Sequence, residues 1–282
     1  MKKPQLITIT VALLLITGIY FFGRTVPKRS AVVAAVKDSI TNEATVTIDT
    51  FLAIGKKKLR PEQVMRINEL EHSISRGDVK DQQIRVYQQL ANFWFDSANA
   101  FEPYAWYKAE AARLENSEKS LNFAAQLFLD NLQGDEVFER RKWKALQAKD
   151  LFERSLKLDP ENDSLKIGLG ACYLFGNISA TPMEGILKIR EVTERDSTNM
   201  YAQFMLGKAS VLSGQYDKAV GRFEKVVRQQ PTNLDAILLL GDVYERMNDK
   251  ANAVIWYKKS LGLVQAPQVK AAIEKRIAEL EK

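Results

Sequence analysis

The chain has 282 residues, of which 46% are hydrophobic and 27% charged, a composition typical of a globular protein with room for a core. Its formal net charge of +6 comes mostly from residues 1–30, which hold five basic residues and no acidic one. The rest of the chain is close to neutral and lacks the clustered positive charge that nucleic acids require, so we expect no nucleic-acid partner. A single cysteine, Cys172, excludes an intrachain disulfide.

An uncharged run at residues 6–23 stands between basic residues on both sides. As a helix, these 18 residues would span about 27 Å, which is close to the hydrocarbon thickness of a bilayer. We predict that residues 1–23 form a short tail and a transmembrane or signal-anchor helix. The alternative is a cleaved signal peptide, which the positive charges of GRTVPKR immediately after the run disfavour. The two lysines of the tail favour a single-pass membrane protein with its body on the exported, extracytoplasmic side.

Residues 24–60 mix Ser, Thr and Pro without a sustained period, and we predict a linker between the membrane and the body. From Pro61 onward, apolar residues recur at helical spacing. The last segment, residues 266–282, places Val269, Ile273, Ile277 and Leu280 on one face of a helix, which is the pattern of a terminal capping helix.

The second half of the chain repeats one pattern with a period of 34 residues. Ala219 and Phe223 precede Pro231, and Ala253 and Tyr257 follow the first two by 34 positions. A Leu-Gly pair stands upstream of each such segment, at Leu169-Gly170, Leu206-Gly207 and Leu240-Gly241. This order and this period resemble the tetratricopeptide repeat (TPR).

The resemblance implies an all-α fold, in which antiparallel helix pairs stack into a solenoid, the TPR superhelix. Small residues let the two helices of a pair approach closely, and large residues fill the joints between units. We predict a solenoid over 61–265, with its clearest units at 163–199, 200–233 and 234–265 and diverged units at about 80–160.

The residues that catalysis or metal binding would need are scarce. His72 is the only histidine, which rules out a multi-histidine metal site or a histidine-based triad. The glycines of LGLG lie at repeat positions inside a helix, so close packing explains them better than a phosphate loop. We expect no enzyme, no catalytic residue, no metal, no cofactor and no small-molecule substrate.

The resemblance also implies a concave groove, lined by the first helix of each unit at positions i, i+4 and i+7. The candidate partner-binding residues are Ile167, Ala171, Leu174 and the adjacent Phe175, then Phe204, Lys208 and Val211, then Leu238, Asp242 and Glu245. They lack the Lys and Asn set with which chaperone-binding members hold carboxyl-terminal peptides. We expect a groove that is apolar in the middle and mixed in charge toward its carboxyl end, and that binds an apolar segment. The alternative is that Phe204 and Ile167 belong to the core.

These features indicate a membrane-anchored scaffold for an unidentified protein or peptide partner. A second resemblance, to anchored TPR proteins with one amino-terminal span, implies a role in the assembly of envelope or exported protein complexes. The alternative is a structural self-association module, in which the repeats of different chains pack together and no peptide ligand is bound.

Overall fold

Helices that follow one another in this chain pack as pairs, and the pairs stack along the chain. The computed structural model describes residues 46–74, 79–179 and 182–282. In those residues there are thirteen α-helices and no strand: α1 Ile48–Lys56, α2 Pro61–Ile74, α3 Lys80–Asn92, α4 Phe101–Glu115, α5 Glu118–Leu132, α6 Phe138–Leu158, α7 Asp163–Gly176, α8 Met183–Arg195, α9 Met200–Leu212, α10 Tyr216–Gln229, α11 Leu234–Arg246, α12 Lys250–Leu261 and α13 Pro267–Leu280. The prediction of an all-α helical-repeat solenoid is confirmed.

Five helix pairs make up the body of the stack. They are α3–α4, α5–α6, α7–α8, α9–α10 and α11–α12, and each pair also contacts the next along the chain. The buried apolar residues form clusters that share helices with one another, so the core runs along the stack. This is what stacking achieves, since no single pair of amphipathic helices can bury its own apolar face.

An asparagine begins the first helix of each of the last three pairs. The side-chain oxygens of Asn162, Asn199 and Asn233 accept hydrogen bonds from backbone N–H groups three residues later. Each asparagine thereby satisfies a donor that the first helical turn leaves free. These caps set where α7, α9 and α11 begin, and hence which of their residues face the same side.

Glycine allows the two helices of a pair to approach closely. A Cβ placed on Gly207 of α9 would lie 2.6 Å from the Phe223 ring of α10, and one on Gly241 of α11 would lie 2.6 Å from the Tyr257 ring of α12. The aromatic residue of the 34-residue pattern therefore packs on the glycine of its own pair. Phe223 also belongs to the buried cluster that includes Ile237 and Leu240 of the next pair.

Two glycine substitutions test this packing. Gly207→Ala should lower the free energy of unfolding by about 1–3 kcal/mol, because the added methyl group must displace the buried Phe223 ring. Gly221→Ala is the matched control, since Gly221 is exposed in α10 with no atom near its missing Cβ. The control should raise the free energy of unfolding by roughly 0.5–1 kcal/mol. Chemical denaturation measures both, and equal effects would contradict close packing at Gly207.

The amino-terminal predictions have two outcomes. The anchor at residues 6–23 lies outside the described residues, and within the described ranges no helix is both long and apolar enough to cross a membrane. The linker at 24–60 is wrong in its last part, because α1 lies within it. The Phe51 ring of α1 is 4.8 Å from that of Trp143 on α6, so the apolar face of α1 joins the body.

Helix α13 ends the stack within the segment predicted to be a cap. Its residues Ile273, Ile277 and Leu280 are buried against α12, whereas Val269 is 42% exposed. The buried stripe therefore has three residues where the sequence pattern suggested four.

Candidate partner-binding groove

The first helices of neighbouring pairs form a concave face. Helix α7 contacts α5 on one side and α9 on the other. The ammonium group of Lys208 on α9 nevertheless donates a hydrogen bond to the side-chain oxygen of Gln133, which directly follows α5. The Lys208 and Gln133 side chains therefore meet over α7.

An open cavity of about 380 Å³ lies on this face. It brings together four of the predicted residues, Leu174, Phe175, Lys208 and Val211. The sequence analysis missed other lining residues, namely Gln133, Arg141, Asn177, Leu212 and Leu239. We call the surface formed by these nine residues the apolar groove. Leu212 is 64% exposed, so the groove offers apolar area to a partner.

Lys208 lies between aromatic rings in the groove. Its Nζ atom is 4.9 Å from the centre of the Phe175 ring and 5.7 Å from that of Phe204. Burial lowers the pKa of the ammonium group below its usual value, although the charges of Asp235 and Asp130 oppose this shift. Lys208 is therefore a partly desolvated cation, and an acidic or aromatic group of a partner would interact with it strongly.

Arg141 contributes a second cation. Its Nε atom is buried and has no hydrogen-bond partner among the described atoms, while Nη1 is 3.4 Å from the carbonyl oxygen of Asp135. An unsatisfied buried donor is costly unless it finds an acceptor. The groove therefore combines apolar walls with two positively charged groups.

A buried ionic cluster fixes the turn that connects Gln133 to α6, the helix that carries Arg141. The Asp135 carboxylate lies 2.6 Å from Arg140 Nε and 2.8 Å from Lys144 Nζ. Burial works against ionisation, but hydrogen bonds from these two cations outweigh it and hold the pKa of Asp135 well below its usual range. Lys144 also lies 3.0 Å from Glu102, which ties the turn to α4.

Three predicted groove residues on α7 belong to the core. Ile167 and Ala171 are fully buried and Leu174 is 5% exposed, so only the edge of Leu174 reaches the groove. The physical reason is that α7 packs against α5, α6, α8 and α9, which together cover nearly all of its surface. The prediction that Ile167 and Ala171 face a partner is wrong, and the alternative that Ile167 belongs to the core is confirmed.

Phe204 is half-buried and packs against the core. Its ring lies 5.8 Å from that of Phe223, within the cluster shared by α9, α10 and α11. The Phe204 ring also lies near the ammonium group of Lys208, but Phe204 does not line the groove.

The predicted carboxyl end of the groove borders α13. Leu238, Asp242 and Glu245 line a separate cavity of about 650 Å³, together with residues of α13. The Tyr257 hydroxyl donates to Asp242 at 2.6 Å, and Arg276 Nε donates to Glu245 at 3.0 Å. The hydrogen bond from Arg276 lowers the pKa of Glu245. These two carboxylates are therefore engaged within the chain.

Two substitutions in α13 test how this helix is held. Ile277→Asp should detach α13, because a carboxylate would replace a side chain that is only 6% exposed. Amide hydrogen exchange in α13 should become at least about tenfold faster, which corresponds to roughly 1.4 kcal/mol of local stability. Val269→Asp introduces the same charge at a half-exposed position and should leave exchange unchanged. Equal protection in both variants would show that α13 is not held by its buried stripe.

The repeated helix pairs of this chain are similar to those of known proteins. The family model described as tetratricopeptide repeat matches residues 210–275. These residues are therefore similar to tetratricopeptide repeats. They comprise α10, α11, α12 and part of α13, and the earlier helix pairs stack in the same way.

One curated relative aligns with most of the chain. Lipopolysaccharide assembly protein B of Haemophilus influenzae is 24% identical over 274 residues, which cover 88% of this chain and 66% of that protein. The chain thus spans slightly less than two thirds of the relative's length.

Two solved structures share the helical-repeat character. PilW, described as a type IV pilus biogenesis factor, is 16% identical with a TM-score of 0.49, covering 70% of this chain and 85% of its own. YrrB, described as a TPR protein with an unusual peptide-binding site, is 20% identical with a TM-score of 0.42, covering 73% and 97%. Both TM-scores are below 0.5, so the similarity of the two structures to this chain is low.

Proposed function

We propose that this chain is a scaffold that binds a protein or peptide partner through the apolar groove. The observation that carries the proposal is the groove itself, an open concave cavity with the exposed Leu212 at its edge. Concave sites with apolar walls and a few polar groups are where proteins bind ligands preferentially. Stacked repeats build such a surface from the side chains of neighbouring helix pairs.

The chemistry of the groove favours an apolar segment that also carries an acidic group. Phe175, Leu212 and Leu239 supply apolar contact area, and Lys208 and Arg141 supply positive charge. Binding would cover the partly desolvated ammonium group of Lys208 and offer an acceptor to Arg141. The segment would lie along α7 and α9, extended or as a helix.

We further propose that residues 6–23 anchor the chain in a membrane, with the helical body on the exported side, and that the partner belongs to an assembly process of the envelope. The uncharged run between basic residues supports the anchor. The alignment of 88% of the chain with a lipopolysaccharide assembly protein supports the process. The body would then present its groove to envelope components that are being assembled.

Charge placed in the groove should abolish partner capture. Phe175→Glu and Leu212→Glu each put a carboxylate on an apolar wall, so the partner recovered from native membranes with the purified chain should fall by about tenfold or more. Ile255→Glu is the control, because Ile255 is 59% exposed on α12 and lies outside the groove. Phe204 is unsuitable for this test, since it does not line the groove.

Quantitative mass spectrometry of the co-purified proteins measures the effect, and circular dichroism shows that each variant is folded. Loss of the same partner in the Ile255→Glu control, or its retention in both groove variants, would contradict binding in the groove.

A further inference from the structure

Another cavity, of about 530 Å³, lies on a different side of α9 from the apolar groove. It is bounded by α8 and α10, the second helices of two neighbouring pairs, and by Ser210 and Ser213 at the end of α9. We call it the basic cavity. Its residues belong neither to the apolar groove nor to the cavity that borders α13.

Three cations line the basic cavity without a carboxylate. They are Arg190 on α8 and Lys218 and Arg222 on α10, and no lining residue is Asp or Glu. Within the described ranges, none of the three forms an ion pair with a carboxylate. Lys218 Nζ donates to Gln215 at 2.6 Å and Arg222 Nη1 donates to Gln203 at 2.8 Å, so their partners are neutral amides.

The positive charge in the cavity is uncompensated. Burial lowers the pKa of Arg222, and the nearby charge of Arg190 lowers it further. Elsewhere in the stack, arginines meet carboxylates, as Arg113 does with Asp150 at 2.9 Å. Two guanidinium groups that repel each other beside an open cavity favour an anion between them.

The remaining lining suits a ligand that is only partly polar. Ser210 and Ser213 are also lining residues, and their hydroxyl groups donate to the carbonyl oxygens of Leu206 and Ser210. Met183, Ile186 and Leu206 form an apolar wall, and Met183 is 51% exposed. A charged group and an apolar neighbour on the same ligand would both find contacts here.

We propose that the basic cavity binds a phosphate group. Guanidinium forks match tetrahedral oxyanions with paired hydrogen bonds, and a phosphate monoester brings about two negative charges to the three cations. A single carboxylate would leave more of the positive charge uncompensated. The phosphate belongs either to a small soluble ester or to a lipid headgroup, whose first carbons would contact the apolar wall.

Titration calorimetry on the full chain tests the proposal, with glycerol 3-phosphate and dihexanoyl phosphatidic acid as probes. At least one probe should bind saturably. Arg190→Gln should weaken its binding by about tenfold or more, since a charge-assisted hydrogen bond is lost. Arg190 is exposed, so this variant is expected to fold, and Lys218→Gln provides a second, equally exposed substitution.

The matched control is Arg228→Gln, which removes one positive charge from an exposed position of α10 that does not line the cavity. The Arg228→Gln variant should bind the probe with the same affinity as the unmodified chain. Tighter binding of the short-chain lipid than of glycerol 3-phosphate identifies a lipid headgroup, and equal binding identifies a soluble ester. The proposal is overturned if neither probe binds, or if Arg190→Gln and Lys218→Gln weaken binding no more than Arg228→Gln does.

Discussion

The close approach of two helices at a glycine is the constraint on which the rest of this structure depends. The Phe223 ring packs on Gly207, and the Tyr257 ring packs on Gly241, each at a distance that leaves no room for a methyl group. Such contacts fix the separation of the helices in the α9–α10 and α11–α12 pairs. Stacked pairs then present their first helices at a regular spacing, which is the precondition for a continuous binding face.

Two different faces of α9 line cavities. One carries Lys208, Val211 and Leu212 and lines the apolar groove, while the other carries Ser210 and Ser213 and lines the basic cavity. The two surfaces differ in chemistry because their neighbours differ. First helices supply most of the apolar side chains of the groove, and the second helices α8 and α10 supply unpaired cations to the cavity.

The 34-residue period and its small residues were sufficient to predict the helix pairs, because they reflect contacts inside one unit. The asparagine caps were not predicted, although Asn162, Asn199 and Asn233 stand at corresponding places in the repeat. The burial of Ile167 could not be predicted from the sequence pattern, because it depends on how the neighbouring helix pairs pack against α7. The pairing of Glu245 with Arg276 likewise joins residues of different helices, which a repeat pattern does not encode.

The central claim is that the concave face of α7 and α9 receives a partner. Site-specific photocrosslinking in native membranes tests it most directly, with a benzophenone amino acid in place of Leu212 and, as a reference, of Ile255, two residues of comparable exposure. Binding in the apolar groove predicts a crosslink to a distinct partner protein from position 212 and none to that protein from position 255. Equal crosslinking from both positions, or a crosslink from 212 only to a second copy of this chain, would contradict it.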